Sequence, residues 1–382
     1  MNAPVYLDYA ATTPVDPLVA EAMAACLTTE GTFANPASRS HIYGWQAEEK
    51  VEAARAQVAT LLAADPREVV WTSGATESNN LAIKGVFEAQ DFSGHLITCV
   101  SEHKAVIDPA KWLEAKGVAV TWLKPDSAGC VSLAQVQAAR RPDTRLVSLM
   151  HVNNETGAIN PVSEIGAWCR AENILMHVDA AQSTGKLDVS VGGLSADLLS
   201  MSAHKFYGPK GVGALYVRRA IAHQLKAQIH GGGHERGLRS GTLATHQLVG
   251  IGVAAQLCHA QRVDEMARIG NLRNQLWDGI ADLPDVRRNG APASVSPTHL
   301  NVCFGGLDGE ALLLSLRDIA ISSGSACTSA SMEPSYVLKA MGMSDADAHS
   351  SVRMSLGRFT TQADVARAIA HIRTIVGQLQ AA

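Results

Sequence analysis

The sequence predicts an α/β fold: a largely parallel sheet covered by helices, followed by a smaller α+β domain. Three observations predict it. From residue 69 to residue 217, short runs rich in Val, Ile and Leu alternate with helical patterns, the rhythm of strand–helix units. After about residue 262 that rhythm stops, and a long helix leads into a few short strands with helices between and after them. The unusual polar residues sit just past the strands, at the carboxyl ends where open α/β sheets bind ligands.

Taken in order, residues 1–15 are too few for a domain and are expected to form an arm docked on the smaller domain. Trp45–Leu62 is rich in Ala and Glu and predicts a long helix. Seven strands are expected at Val69–Thr72, His95–Val100, Val118–Leu123, Leu146–His151, Leu175–Val178, Leu198–Met201 and Ala214–Val217. Their brevity and apolar content fit strands buried on both faces. Amphipathic stretches such as Glu77–Ala89 and Ser163–Glu172 supply the covering helices. The large domain is expected over 16–262 and the small one over 263–382. The latter should hold a helix near Val263–Ile280, strands near Thr298–Phe304 and Val352–Leu356, and a mobile loop at about 321–333.

Composition narrows the function. The chain has 382 residues, 47% apolar and 18% charged, proportions of a folded chain of two or three domains rather than a disordered one. Lys plus Arg number 32 against 36 Asp plus Glu, a net charge of −4, which argues against nucleic-acid binding. No apolar run approaches the ~18 residues of a membrane span. The start, Met1-Asn2-Ala3-Pro4, shows no secretory signal. Seven cysteines are scattered without a Cys-x-x-Cys pair, so a disulfide framework or zinc knuckle is not expected. Free thiols fit a reducing cytoplasm.

Several residues near the strand ends carry chemistry. Lys205, between an apolar strand and a Gly-Pro turn, reads either as a solvated loop lysine or as a Schiff-base lysine supplying a neutral amine. Asp179 reads as a helix N-cap or as a partner for a cationic ring nitrogen, with Gln182 placed to donate to the ring oxygen. Ser73-Gly74-Ala75-Thr76 follows a strand and opens a helix, a setting for a phosphate. Thr242, in Arg239-Ser240-Gly241-Thr242, offers another hydroxyl. Gly231–Gly237 lacks the P-loop pattern and reads as a tight backbone path near the site or a plain flexible loop. His103 is a structural histidine or one that stacks on a ring and exchanges protons. Asn154 forms an Asx turn or holds a ring oxygen and a substrate carboxylate. Arg353 projects from the alternating strand Ser351–Leu356, as a carboxylate clamp or an ordinary sheet arginine. Cys327 lies in a run of small and hydroxylic residues from Ile321 to Ser331, too poor in apolar area to pack firmly. It reads as a reactive thiol with a locally raised thiolate fraction, or as an inert exposed one.

These residues carry a family resemblance. The segments YLDYAATTPVDP (from Tyr6), NPASRSH (Asn35), TSGATESNNLAIKG (Thr72), EHKAV (Glu102), HVNNETG (His151), HVDAAQS (His177), MSAHKFYGPKG (Met201), GGGHERGLRSGT (Gly231), SSGSACTSASMEPSYVLKAMG (Ser322) and HSSVRMSLGRFTT (His349) run through nearly the whole chain. Together they resemble the class V branch of fold-type I pyridoxal phosphate enzymes, and within it the cysteine desulfurases of the IscS/NifS group.

The resemblance implies pyridoxal 5'-phosphate as cofactor and a homodimer. Lys205 would hold the cofactor covalently, Asp179 would pair with its ring nitrogen and Gln182 with its ring oxygen, and His103 would stack on the ring and handle protons. Ala75, Thr76, Ser202 and His204 would hold the phosphate, with Thr242 supplied by the other subunit. Asn154 and Arg353 would hold the carboxylate of L-cysteine. Cys327 would take the substrate sulfur as a persulfide, leaving alanine, and pass it to an acceptor for iron–sulfur cluster assembly. No pair of the 14 histidines and seven cysteines has metal-ligand spacing, and Cys327 is the one candidate for holding an iron–sulfur cluster in transit. IscS-type chains usually continue with a tail that contacts the scaffold. This chain ends at Ala382, which leaves the acceptor open between an IscU- or NifU-type scaffold and another protein. Rival expectations are a selenocysteine lyase, a class V aminotransferase, which has no need of Cys327, and a non-catalytic sulfur-relay or regulatory protein.

Overall fold

The computed structural model describes residues 3–323 and 333–381. The arm opens with β1 (Val5–Tyr6). Seven strands follow: β2 (Val69–Thr72), β3 (His95–Cys99), β4 (Ala119–Leu123), β5 (Thr144–Met150), β6 (Leu175–Asp179), β7 (Leu198–Ser202) and β8 (Gly213–Val217). They form one sheet in the order β2-β8-β7-β6-β5-β3-β4. Strands β3 to β7 pair in parallel, and β8 runs antiparallel to both its neighbours. Every expected strand exists, with ends moved by a residue or two.

The pleat explains why these strands are apolar throughout. Successive residues point to opposite faces. Trp71, Ile97, Val147 and Leu199 enter one hydrophobic cluster, while Val70, Leu96, Leu146 and Leu198 enter another. Helices Ala75–Glu88 and Lys104–Ala115 cover the second face through Leu81, Phe87, Val106 and Leu113.

The smaller unit is an antiparallel sheet of β9 (Val286–Arg288), β10 (His299–Phe304) and β12 (Ser351–Ser355), in the order β12-β10-β9. Helix Gln362–Gln380 packs on it through Val365, Ala368, Ile372 and Val376. The arm joins this unit. Strand β1 pairs in parallel with β11 (Ile319–Ala320), and Val5 and Leu7 enter its core.

The long helix is Thr245–Asp278, much longer than the expected Val263–Ile280. Its first half is buried against helix Ile42–Leu62, so it lacks the apolar stripe of a surface helix. At Gly252 a β-carbon would stand 2.7 Å from Ala54 Cα, so the two helices meet at glycine distance. The helix passes from the large core to the small one between Cys258 and Met266. Among the described residues, no helix is long and apolar enough to cross a membrane.

Candidate active site

A cavity of about 550 Å³ opens at the carboxyl ends of β5, β6 and β7. Ten of the sequence-predicted residues line it: Ala75, Thr76, His103, Asn154, Asp179, Gln182, Ser202, His204, Lys205 and Arg353. They come from separate strand ends, from the start of helix Ala75–Glu88 and from the small unit, which closes the cavity with β12.

Asp179 ends β6 and is 5% exposed. Asn79 Nδ2 donates to its Oδ2 at 2.8 Å, and the Ala181 N–H donates to its Oδ1 at 2.9 Å. Among the described residues no Lys or Arg pairs with this carboxylate. A buried acid without a cation is costly unless a cationic group meets it.

His103 caps helix Lys104–Ala115, its Nδ1 accepting from the Ala105 N–H at 3.1 Å. That bond leaves the proton of the neutral ring on Nε2. Burial holds its pKa below the usual histidine value, with Asp179 pulling the other way.

Helix Ala75–Glu88 begins without a side-chain cap. Gly74 before it takes φ +149°, a conformation open to glycine. The uncapped first turn and the helix dipole form an anion site. Ser202 ends β7 nearby, its Oγ 3.5 Å from where a β-carbon on Gly74 would lie. His204 Nδ1 meets Thr12 Oγ1 at 3.1 Å, and burial pushes its pKa down to about 4.

Lys205 closes a short 3-10 turn, and its Nζ donates to the carbonyls of Ala10 at 2.6 Å and Ala11 at 2.7 Å. The arm therefore reaches the lysine, which the sequence did not reveal. Gln182 Nε2 also donates to the Ala10 carbonyl, at 2.8 Å, and its Oε1 accepts from Lys186 Nζ at 3.2 Å.

The turn after β5 divides its work between two asparagines. Asn153 makes the Asx turn: its Oδ1 accepts from the Glu155 and Thr156 N–H groups at 2.9 and 3.0 Å. Asn154 is left for the cavity, with a buried Oδ1 that has no hydrogen-bond partner among the described residues. Its backbone carbonyl accepts from Arg353 Nη1 at 2.8 Å. Arg353 sits mid-strand in β12 and is 3% exposed. Its Nη2 pairs with Asp8 at 2.7 Å, and its Nε has no partner among the described residues.

One sequence reading moves. Gly232, Gly233 and His234 line a different cavity, with Asn35–Ala37 and Arg39, and not the one at Lys205. The cause is Glu235, whose carboxylate is held by Arg55 at 2.8 and 2.9 Å and by the Trp71 N–H at 2.9 Å. This ties the glycine-rich segment to the outer edge of β2. Thr242, expected to serve the site of a second copy, is exposed and does not line the Lys205 cavity of its own chain. Cys327 lies outside the described residues. The chain on either side of it is anchored at the site. Ser322 and Arg353 exchange backbone hydrogen bonds at 3.2 and 2.7 Å, and Tyr336 Oη donates to the Glu102 carbonyl at 2.7 Å. Sequence reasoning missed Asp8, Asn79 and Lys186. Asp8 alone left a signal, as the polar end of the alternating run Val5–Asp8.

The site fits pyridoxal phosphate. An unpaired buried acid suits a ring nitrogen, an uncapped helix start with glycine suits a phosphate, and a lysine stands in the same cavity.

Comparisons with known proteins agree. The family model of class V aminotransferases matches residues 5–368. Cysteine desulfurase IscS of Tolumonas auensis is 57% identical over 381 residues, covering 100% of this chain and 94% of its own. The structure of a NifS-like protein superposes with a TM-score of 0.91 at 36% identity, covering 98% of this chain and 100% of that one. That of SspA in complex with cysteine gives 0.82 at 42% identity, covering 93% and 99%. The chain belongs to the class V aminotransferase family, among its IscS- and NifS-like members.

Proposed function

We infer that this chain is a pyridoxal phosphate-dependent cysteine desulfurase that converts L-cysteine to L-alanine, with the sulfur leaving as a persulfide on Cys327. The observation that carries this is one cavity bringing Lys205, Asp179, His103 and Arg353 together from four separate elements, in a chain 57% identical to a cysteine desulfurase.

When bound, the cofactor supplies a sink for the electron pair released at the substrate α-carbon. The side chains do the rest. Lys205 Nζ holds the cofactor. The Asp179 carboxylate keeps the ring nitrogen protonated, and Gln182 donates to the ring oxygen. His103, neutral because it is buried, stacks on the ring and takes and returns protons. Ala75, Thr76, Ser202 and His204 hold the phosphate, and Thr242 joins them from a second copy of the chain in a homodimer. Asn154 and the Arg353 guanidinium orient the substrate carboxylate. The Cys327 thiolate attacks the substrate sulfur: an S–S bond forms, the C–S bond breaks, and the carbon skeleton takes up a proton and leaves as alanine. The persulfide then passes to an acceptor thiol, an IscU- or NifU-type scaffold in iron–sulfur cluster assembly. We read the chain as an arm (1–15), a cofactor-binding domain (16–262) and a small domain (263–382) that presents Cys327.

The test is alanine release from L-cysteine with a reducing thiol present, wild type against Cys327→Ala. Alanine from the wild type and little from the variant is expected. No alanine from a yellow, cofactor-loaded wild type would overturn the reading.

A further inference from the structure

Behind the cavity lies a second lysine that the mechanism above does not use. Lys186 is 4% exposed, and no carboxylate pairs with it among the described residues. Its Nζ donates to Gln182 Oε1 at 3.2 Å. At the other end of that amide, Nε2 donates to the Ala10 carbonyl at 2.8 Å, the same oxygen that accepts from Lys205 Nζ at 2.6 Å. A chain of three polar contacts thus joins one lysine to the other.

We propose that Lys186 is a positioning residue that locks the Gln182 amide in one orientation, so that Gln182 offers N–H and not C=O to the cavity. This rests on the reading of the site given above. A primary amide has a donor end and an acceptor end of nearly equal size, and only its neighbours decide which way it faces. The Ala10 carbonyl only accepts, so Nε2 must face it. Lys186 can donate in either protonation state and, when charged, only donates, so Oε1 faces it. The second Nε2 hydrogen is then left for an oxygen in the cavity. Without Lys186, Oε1 is buried without a partner, a cost that turning the amide relieves.

Lysine suits this position because it can donate there without a carboxylate to pair with. Burial pushes its pKa down to about 7, and the charges of Lys205 and Arg353 act in the same direction. The other titratable groups facing it are Cys258, on the long helix, His299, on β10, and His204, beside Lys205.

The experiment is an absorbance titration of the bound cofactor chromophore in the holoenzyme, for the wild type, Lys186→Met, Gln182→Met and the double variant. Losing a donated N–H beside the ring oxygen makes that oxygen more basic. Lys186→Met should therefore raise the pH at which the yellow form titrates, by roughly 0.5 to 1 unit. In the Gln182→Met background the same substitution should add nothing, because its route is gone. Lys186→Gln keeps an N–H donor without the charge and should titrate nearer the wild type, and it serves if Lys186→Met fails to fold. A Lys186→Met or Lys186→Gln shift that survives in full in the Gln182→Met background overturns the proposal, and so does a Lys186→Met profile identical to the wild type. A wild type that never turns yellow overturns the underlying reading instead, and is seen before any variant is compared.

Discussion

The Asp8 carboxylate meets Arg353 Nη2 at 2.7 Å, so the guanidinium proposed to hold the substrate carboxylate already holds one from the protein's own arm. Arg353 is buried, while the Asp8 side chain keeps 19% of its exposure, so Asp8 is the partner that can yield. Asp8 both neutralises a buried charge and competes for it. Asp8→Asn should lower the KM for L-cysteine by about 3- to 10-fold, a gain of ~1 kcal/mol in carboxylate binding. The same change should cost roughly 1–3 kcal/mol of stability, because it leaves a buried cation unpaired. Steady-state kinetics and urea unfolding read the two effects. A KM raised by the substitution would show that Asp8 orients Arg353 instead of competing for it.

The parts of the site legible in the sequence are those that strand ends deliver. Asp179, Ser202 and Lys205 each follow a run of buried apolar residues, and the α/β alternation places such ends along one edge. Asp8 was not legible as the partner of Arg353, because 345 positions separate them and the arm is brought there by the pairing of β1 with β11 and by its bridge from Asp8 to Ser355. Nor did the pattern say which of Asn153 and Asn154 makes the turn, since both residue types do so equally well. The glycine-rich segment reads in the sequence either as a close path to the site or as a plain loop, and the pattern could not choose, because Arg55, on a distant helix, fixes its place through Glu235.

Stability should fall in mild acid, and His177 gives the sign. It is fully buried in β6, its ring nitrogens meeting Ser148 Oγ at 2.7 Å and Ser200 Oγ at 2.9 Å. Burial pushes its pKa down to about 4, against about 6.5 in an unfolded chain. Between those values the unfolded state binds more protons. The stabilisation is therefore full above pH 6.5 and is lost as the pH falls toward 4. By pH 5.5 the loss from this residue is on the order of 1 kcal/mol. His151, also pushed down to about 4, adds to it with the same sign. Thermal midpoints at pH 7.5 and 5.5 should drop less in His177→Gln than in the wild type, and equal drops would remove His177 from the account.

Glu235 holds the outer edge of the sheet. Its carboxylate satisfies the Trp71 N–H of β2 and both terminal nitrogens of Arg55, and neither side chain is more than 4% exposed. Glu235 and Arg236 take φ of +51° and +57°, a left-handed conformation that costs a non-glycine residue about 1 kcal/mol or more. The ion pair must offset that strain. Glu235→Ala should lose about 3–5 kcal/mol, because it leaves the buried Arg55 charge with the exposed Glu52 as its remaining ionic partner. Arg55→Met with Glu235→Met should lose much less, since no charge is left unpaired. Urea denaturation of the single and double variants separates the two, and equal losses would mean that the charge pair itself is not what matters.

Ser335 anchors the chain that leads away from Cys327. Its Oγ donates to the buried Glu155 carboxylate and accepts from the Leu338 N–H at 3.2 Å, capping helix Tyr336–Ala340. Glu155 adjoins Asn154, so this contact joins the proposed substrate side of the cavity to the chain that follows Cys327. Burial holds the Glu155 carboxyl above its usual pKa, and the Ser335 hydroxyl draws it back. Ser335→Ala removes a cap worth ~1 kcal/mol and leaves a buried carboxylate oxygen short of a donor, at roughly 1–3 kcal/mol more. The residues that would bind the cysteine carboxylate are untouched. The cofactor colour change on adding L-cysteine should therefore keep its amplitude and rate, while alanine release slows by up to about tenfold, the equivalent of ~1.4 kcal/mol in placing Cys327. Rapid-mixing absorbance and alanine assays on the same preparation check this. If both steps slow together, Ser335 serves the whole site; if neither does, Tyr336 and its bond to the Glu102 carbonyl hold the segment alone.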